Sequence, residues 1–248
     1  LRFRGLICHR RIQSPVSDRR AKLALCAIVA TTAISLLYVS VPRTAAAFLT
    51  IMGDRILNRI QKGEAVTPEQ IAEFEESRRA SSRWISHGRI YFDHSSARIL
   101  KRAAAKKNER QKYGEEILAL ARQSVRISPP NSRAWLIVAG EEARLNGDTK
   151  LMADALTMSF LTAPVLPLQL FYRLDLALAS TRFRESSEQN LILRQIRIAS
   201  KLMPHRMVDY SAKSLEKIAL FRAALAYDPP VYNRYNRSLE QYFRSRRK

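Results

Sequence analysis

The chain has 248 residues, a formal net charge of +21, few glycines and no alternating β-branched runs. Ala, Leu, Arg, Glu and Lys dominate, which excludes a β-sheet protein and predicts an all-α fold. The cysteines, Cys8 and Cys26, both precede residue 42, so the large C-terminal part has no disulfide, cysteine nucleophile or cysteine-ligated zinc.

Residues 1–22 form a basic N-terminus with Arg2, Arg4, Arg10, Arg11, Arg19, Arg20 and Lys22 opposed only by Asp18. Leu23 to Val41 then runs nineteen residues without a charge. As a helix it crosses roughly 30 Å of hydrocarbon, so 23–41 is predicted to be a transmembrane helix bounded by Pro42 and Arg43. Seven basic residues flank it before and four after, Arg43, Arg55, Arg59 and Lys62. That bias predicts a cytoplasmic N-terminus with the bulk of the chain outside. Ala45-Ala46-Ala47 offers a peptidase site, as in a cleaved signal peptide. The length of the apolar run and Arg43 favour an uncleaved anchor.

Residues 42–66 read as a juxtamembrane amphipathic helix and linker. Phe48, Ile51, Met52, Ile56 and Ile60 share one face, Asp54, Arg55 and Arg59 take the other, and Gly63 ends it. Thr67-Pro68-Glu69-Gln70 is a capping-box start for a helix to about Ile85, with a turn near His87-Gly88. The basic stretch 96–112, with Arg98, Lys101, Arg102, Lys106, Lys107, Arg110 and Lys112, reads as a solvated helix face.

A helical domain is expected over 67–230. Ser124, Ser159 and Ala199 each fall five positions before a proline, Pro129, Pro164 and Pro204, at spacings of 35 and 40 residues. Ala224 and Pro229 are a looser fourth copy. Such a period is expected of stacked helical hairpins in which the proline ends the second helix. The clearest unit is Asn131 to Pro164. Asn131 caps a helix lined by Trp135, Val138 and Ala139; Asn146-Gly147 turns; Asp148 caps a second helix with Met152, Ala155, Leu156 and Ser159 inside.

On these residues the chain resembles the tetratricopeptide-repeat superfamily. Trp135, Ala139, Gly140, Gly147, Ala155 and Pro164 match its pattern, with Ser159 as a further packing residue. The pattern's large aromatic is missing at Glu142 and Ala143. The resemblance covers about 111–230 and implies one good repeat and two or three divergent ones.

Leu168 to Ala179 reads as a buried helix. Over Gln189–Met203, Ile192, Ile196, Ala199 and Met203 face one way, and Arg194, Arg197 and Lys201 face the other as a candidate anion-binding stripe. Lys213 to Ala226 is the last well-marked helix, and 231–248 is a basic aromatic tail that reads as a frayed helix or as a contact for anionic partners.

No catalytic reading survives. The histidines, His9, His87, His94 and His205, give no three-ligand set. No phosphate loop, nucleophile elbow or zinc-protease motif is present. Glu115-Glu116 and Glu141-Glu142 are read as surface pairs, since neighbours on a helix point about 100° apart. The expectation is a non-enzyme without cofactor or metal. Basic N-terminus, single span and helical repeats together resemble small bacterial proteins associated with exopolysaccharide assembly and export. That resemblance implies a bacterial inner-membrane protein with a periplasmic helical domain that scaffolds other envelope proteins. The part after residue 42 carries about +15 and equally suits direct binding of acidic polysaccharide or anionic lipid. Nucleic acid is disfavoured, because no recognition motif for it is present.

Overall fold

A computed structural model of the chain describes residues 15–185 and 188–246. Arg2, Arg4, Arg10, Arg11, Cys8 and His9, and at the other end Arg247 and Lys248, lie outside the described residues. Every regular element among the described residues is helical.

The first helix, α1 (Pro15–Gln61), is continuous over 47 residues, about 70 Å at the α-helical rise. The span and the juxtamembrane helix are therefore one element, and Pro42 lies inside it rather than at a boundary. Proline removes one hydrogen bond and costs about 3 kcal/mol in a helix interior. Residues 21–41 are exposed throughout, with Leu25, Ile28, Leu36 and Leu37 all facing outward. Within α1, Ala21–Gln61 is long and apolar enough to cross a membrane. From Ala46 onward α1 packs on α2 (Pro68–Ser82).

That packing is close and polar. Ser77 Oγ donates to Leu49 O at 2.7 Å and Ser81 Oγ to Ala46 O at 3.2 Å, so α2 runs antiparallel to α1. A Cβ on Gly53 would lie 2.6 Å from Ser77 Oγ, so the crossing depends on glycine. Arg78 is 0% exposed. It bonds Thr50 O at 3.1 Å, pairs with Asp54, and lies 3.3 Å from Asp93 of α3 (Gly88–Ala104). One guanidinium thus joins three helices.

The next helices, α4 (Arg110–Ile127), α5 (Ser132–Asn146) and α6 (Lys150–Thr162), each pack on the one before. Local sequence sets their ends. Thr67 and Gln70 form a reciprocal capping box, His87 Nδ1 caps α3, and Asn131 caps α5. Gly147 turns the chain at φ +78, a conformation that favours glycine. The cap of α6 is Thr149, not Asp148. Asp148 instead accepts from Ser180, Thr181 and Arg182, at the start of α8 (Thr181–Glu185). It therefore stitches two successive hairpins together.

Beyond α6 come α7 (Leu170–Ala179), α8, α9 (Gln189–Leu202), α10 (Pro204–Ser211), α11 (Leu215–Leu225) and α12 (Pro229–Ser245). Here alternate helices touch. α5, α7, α9 and α11 form one row, while α6 meets α8 and α10 meets α12. The proline motif at Ser159–Pro164 ends α6, but the one at Ala199–Pro204 ends α9, which belongs to the other row. The 40-residue spacing therefore does not relate equivalent helices. Residues 231–248, read from sequence as a tail, belong for the most part to α12. Its Tyr235 and Leu239 are buried, and Tyr235 donates to Ser211 Oγ at 2.8 Å.

The main core runs from α4 to α12, with a smaller cluster of Ile56, Phe74 and Ala97 under α1. Aromatic rings thread the later helices: Phe171 to Tyr210 at 4.8 Å, Tyr210 to Phe221 at 5.9 Å and Phe221 to Tyr235 at 6.2 Å.

Candidate functional site

A cleft of about 390 Å³ opens between α1, α3, α5 and α7. Its walls are apolar: Leu57 and Ile60 from α1, Ile99 and Leu100 from α3, and Leu136 and Ile137 from α5. The run Trp135-Leu136-Ile137-Val138 explains why α5 can serve two sides. Four consecutive apolar residues wrap more than one helix face, so Val138 is buried in the core while Ile137 stays half-buried in the cleft.

The cleft has polar ends. At one, Arg102 pairs with Glu141, which also accepts from Arg144 at 2.8 Å. At the other stand Arg133 and Gln169. The Gln169 Oε1 atom is enclosed and has no hydrogen-bond partner, a costly state for an acceptor. Tyr172 of α7 lies across the wall because Gly140 leaves it room; a Cβ there would stand 2.2 Å from its hydroxyl. The lining offers apolar contact along its length and hydrogen bonding at each end.

Buried ion pairs hold the cleft-forming helices in place. Glu141 and Glu142 are both buried, not the surface pair read from sequence. Because neighbours diverge by about 100°, Glu141 faces Arg102 of α3 while Glu142 pairs with Arg122 of α4. The basic stretch 96–112 is likewise not a purely solvated face. Arg98 lies 2.8 Å from Glu75 and 2.9 Å from Glu116, and Lys101 also pairs with Glu75. Burial opposes ionisation of Glu75, but the nearby His94, the contact with Lys101 and the charges of Arg98 and Lys101 outweigh it, holding its carboxyl at about 2. Asp93 goes the other way: its burial outweighs Arg78 and Arg89 and raises its carboxyl.

The repeat residues occupy the α5–α6 pair. Ala139, Ala155 and Ser159 are buried, Gly147 makes the turn, and Pro164 follows α6. Trp135 is half-buried and donates from its indole to Pro129 O at 2.7 Å. Around Ser159 lies a residue that the sequence reading missed. Arg173 is 0% exposed. It donates to Ser159 Oγ at 3.1 Å, Ser159 O at 2.6 Å and Ala163 O at 2.8 Å, and also to Ser132 Oγ. Among the described residues no carboxylate pairs with it, and burial lowers its pKa to about 10. It satisfies the last carbonyls of α6 from the side favoured by the helix dipole.

The basic stripe on α9 is not uniformly exposed. Arg194 and Lys201 are exposed. Arg197 is turned inward: it donates to Ala224 O at 3.3 Å and stacks 4.0 Å from the Tyr227 ring centroid. His87 and His94 are also separated in role, the first capping α3 and the second facing Glu75 at 3.7 Å. Among the described residues no group of three His, Cys, Asp or Glu side chains converges as a metal site.

No known protein-family pattern matches the chain, and no curated protein is significantly similar to it.

Proposed function

We propose that this protein is a non-catalytic, membrane-anchored scaffold whose cleft between α1, α3, α5 and α7 takes an apolar segment of another envelope protein. The observation that carries the reading is the cleft itself: apolar walls ending in the Arg102–Glu141 pair on one side and in Arg133 and Gln169 on the other. Its volume suits a few side chains of a docked segment. Alternate helices in contact from α5 onward, with the residues around Trp135 and Gly147, support a divergent tetratricopeptide-like array, an architecture whose concave faces bind polypeptides.

The location is part of the proposal. α1 spans a bacterial inner membrane with its basic N-terminus in the cytoplasm and the helical domain in the periplasm, as the greater positive charge before the span favours. The resemblance of this architecture to exopolysaccharide-assembly proteins supports a role for the scaffold in polysaccharide biosynthesis or export. Direct binding of acidic glycan or lipid through the α9 stripe has less support, because Arg197 is committed to Ala224 and Tyr227.

Co-purification from detergent-solubilised membranes at low and high salt tests the scaffold. A partner held by apolar contacts stays bound at high salt, whereas polyanion binding weakens steeply. Loss of every bound protein at high salt, with glycan or lipid retained at low salt, overturns it.

A further inference from the structure

The connection between α2 and α3, residues 83–87, lies at the end of the domain where α1 leaves for its exposed apolar half. Ser81 meets Ala46 O at 3.2 Å, and Ala46 is five residues past Val41, about 8 Å along the helix axis. Trp84 is three residues beyond Ser81, about 5 Å further back towards the span in the antiparallel α2. It therefore stands within roughly 5 Å of the level of Val41. The interfacial layer on each side of the hydrocarbon is about 5–8 Å deep. If Val41 marks the hydrocarbon boundary, Trp84 has nowhere else to be.

The side chains at this level suit that layer. Trp84 is 50% exposed, a tryptophan open to the layer that interfacial tryptophans favour. Arg43, Arg83 and Arg89 are exposed around it, and Arg43 and Arg89 help line a cleft of about 190 Å³ with Thr50 and His87. The acidic residues of that cleft, Asp54 and Asp93, pair with Arg78, and Asp93 also lies 3.7 Å from Arg89, so Arg43, Arg78 and Arg89 against two carboxylates leave the cleft with positive charge in excess.

The helix connections reinforce the asymmetry. Ser124 Oγ donates to Gly88 O at 2.7 Å, and Ser132 Oγ to Ser159 O at 2.9 Å. These bonds put connections 128–131 and 163–168 on the same side of their helices as 83–87. Those three connections contain Trp84, Val165 and Leu168, and Arg83 is their one permanently charged residue. Leu168 is 79% exposed. The opposite connections, 62–67, 105–109 and 147–149, carry Lys62, Glu64, Lys106, Lys107, Glu109 and Asp148.

We propose that the α2–α3 connection is a bilayer contact, with Trp84 at the hydrocarbon boundary and Arg43, Arg83 and Arg89 on the phosphates of anionic phospholipid in the same leaflet. This rests on α1 being the membrane span. Continuity with that span fixes the occupant, because the buried Arg78 cluster locks the domain to α1 and leaves it no free swivel.

The test uses the full chain carrying Trp135→Phe, so that Trp84 is the sole tryptophan. It is reconstituted in vesicles of phosphatidylcholine and phosphatidylglycerol. Bromine is placed near the glycerol end of the acyl chains of one lipid or the other at constant composition. Trp84 fluorescence is expected to be quenched, and more strongly when bromine is on phosphatidylglycerol. Arg43→Gln with Arg83→Gln, two exposed positions, is expected to bring the two lipids to parity while quenching persists. Unquenched Trp84 in a chain that resists alkaline extraction overturns the contact, and equal quenching by the two lipids before mutation overturns the anionic preference. A chain washed off by alkali overturns the span itself, and this proposal with it.

Discussion

Arg78 and Arg173 are the largest side chains wholly removed from solvent, and they solve that problem differently. Arg78 is neutralised by Asp54 and Asp93 and stacks 4.9 Å from the Phe74 ring centroid. Arg173 relies on carbonyls and hydroxyls, with Phe160 5.4 Å away. Arg173→Met keeps the volume but strands the Ala163 and Ser159 carbonyls, and is expected to cost about 3 kcal/mol in urea unfolding of the detergent-solubilised chain. Glu75 gives a pH signature. Its folded carboxyl sits at about 2 against an ordinary 4.5, so its stabilisation is complete above 4.5 and is lost as pH falls towards 2. Glu75→Gln is expected to flatten that acid limb of the stability profile. Asp93, with its carboxyl raised, contributes in the opposite sense as pH rises through its titration.

Two contacts between elements decide how rigid the array is. Gly53 lets α1 and α2 touch, and Gly53→Val forces Ser77 and Arg78 outward. A loss of about 2 kcal/mol is expected from overpacking, together with faster proteolysis in connection 62–67. Asp148 holds the start of α8 from the turn before α6. Four hydrogen bonds to its carboxylate, that from Ser180 foremost, depress its pKa to about 2. Asp148→Ala is expected to cost about 1 kcal/mol, as loss of a helix cap does, read as faster amide exchange in 181–185 than in α9. The sequence placed Asp148 on the helix next to it because caps are read locally. The structure gives it to a helix that starts 33 residues later, a choice set by how successive hairpins stack.

For the whole molecule, the continuity of α1 matters most. A span ending at Pro42 would be a flexible tether. If α1 is the membrane span, one helix running into a packed half, bolted by Arg78, holds the domain at a fixed height over the bilayer and turns the cleft in a fixed direction. If the cleft is the scaffold's binding surface, Ile137→Asp is expected to abolish salt-resistant co-purification, because a carboxylate in an apolar groove loses its hydration without a partner. Arg194→Gln with Lys201→Gln is expected to leave it unchanged. The reverse pattern would move the functional surface to α9.

By itself the sequence determined the helical class, the long apolar segment, the capping box at Thr67 and Gln70, the cap at Asn131 and the turn at Gly147. Each depends on residues within a few positions of one another, where propensity and periodicity operate. Only the tertiary structure decided which charges are buried. Arg102 and Glu141 are 39 residues apart, Arg122 and Glu142 are 20 apart, and in so basic a chain no local pattern distinguishes those arginines from solvated ones. The cleft was hidden for the same reason: Leu57, Leu100, Ile137 and Tyr172 become one surface only when four helices converge. The apparent proline period misled because a proline marks where a helix stops, and packing alone assigns that helix to a row.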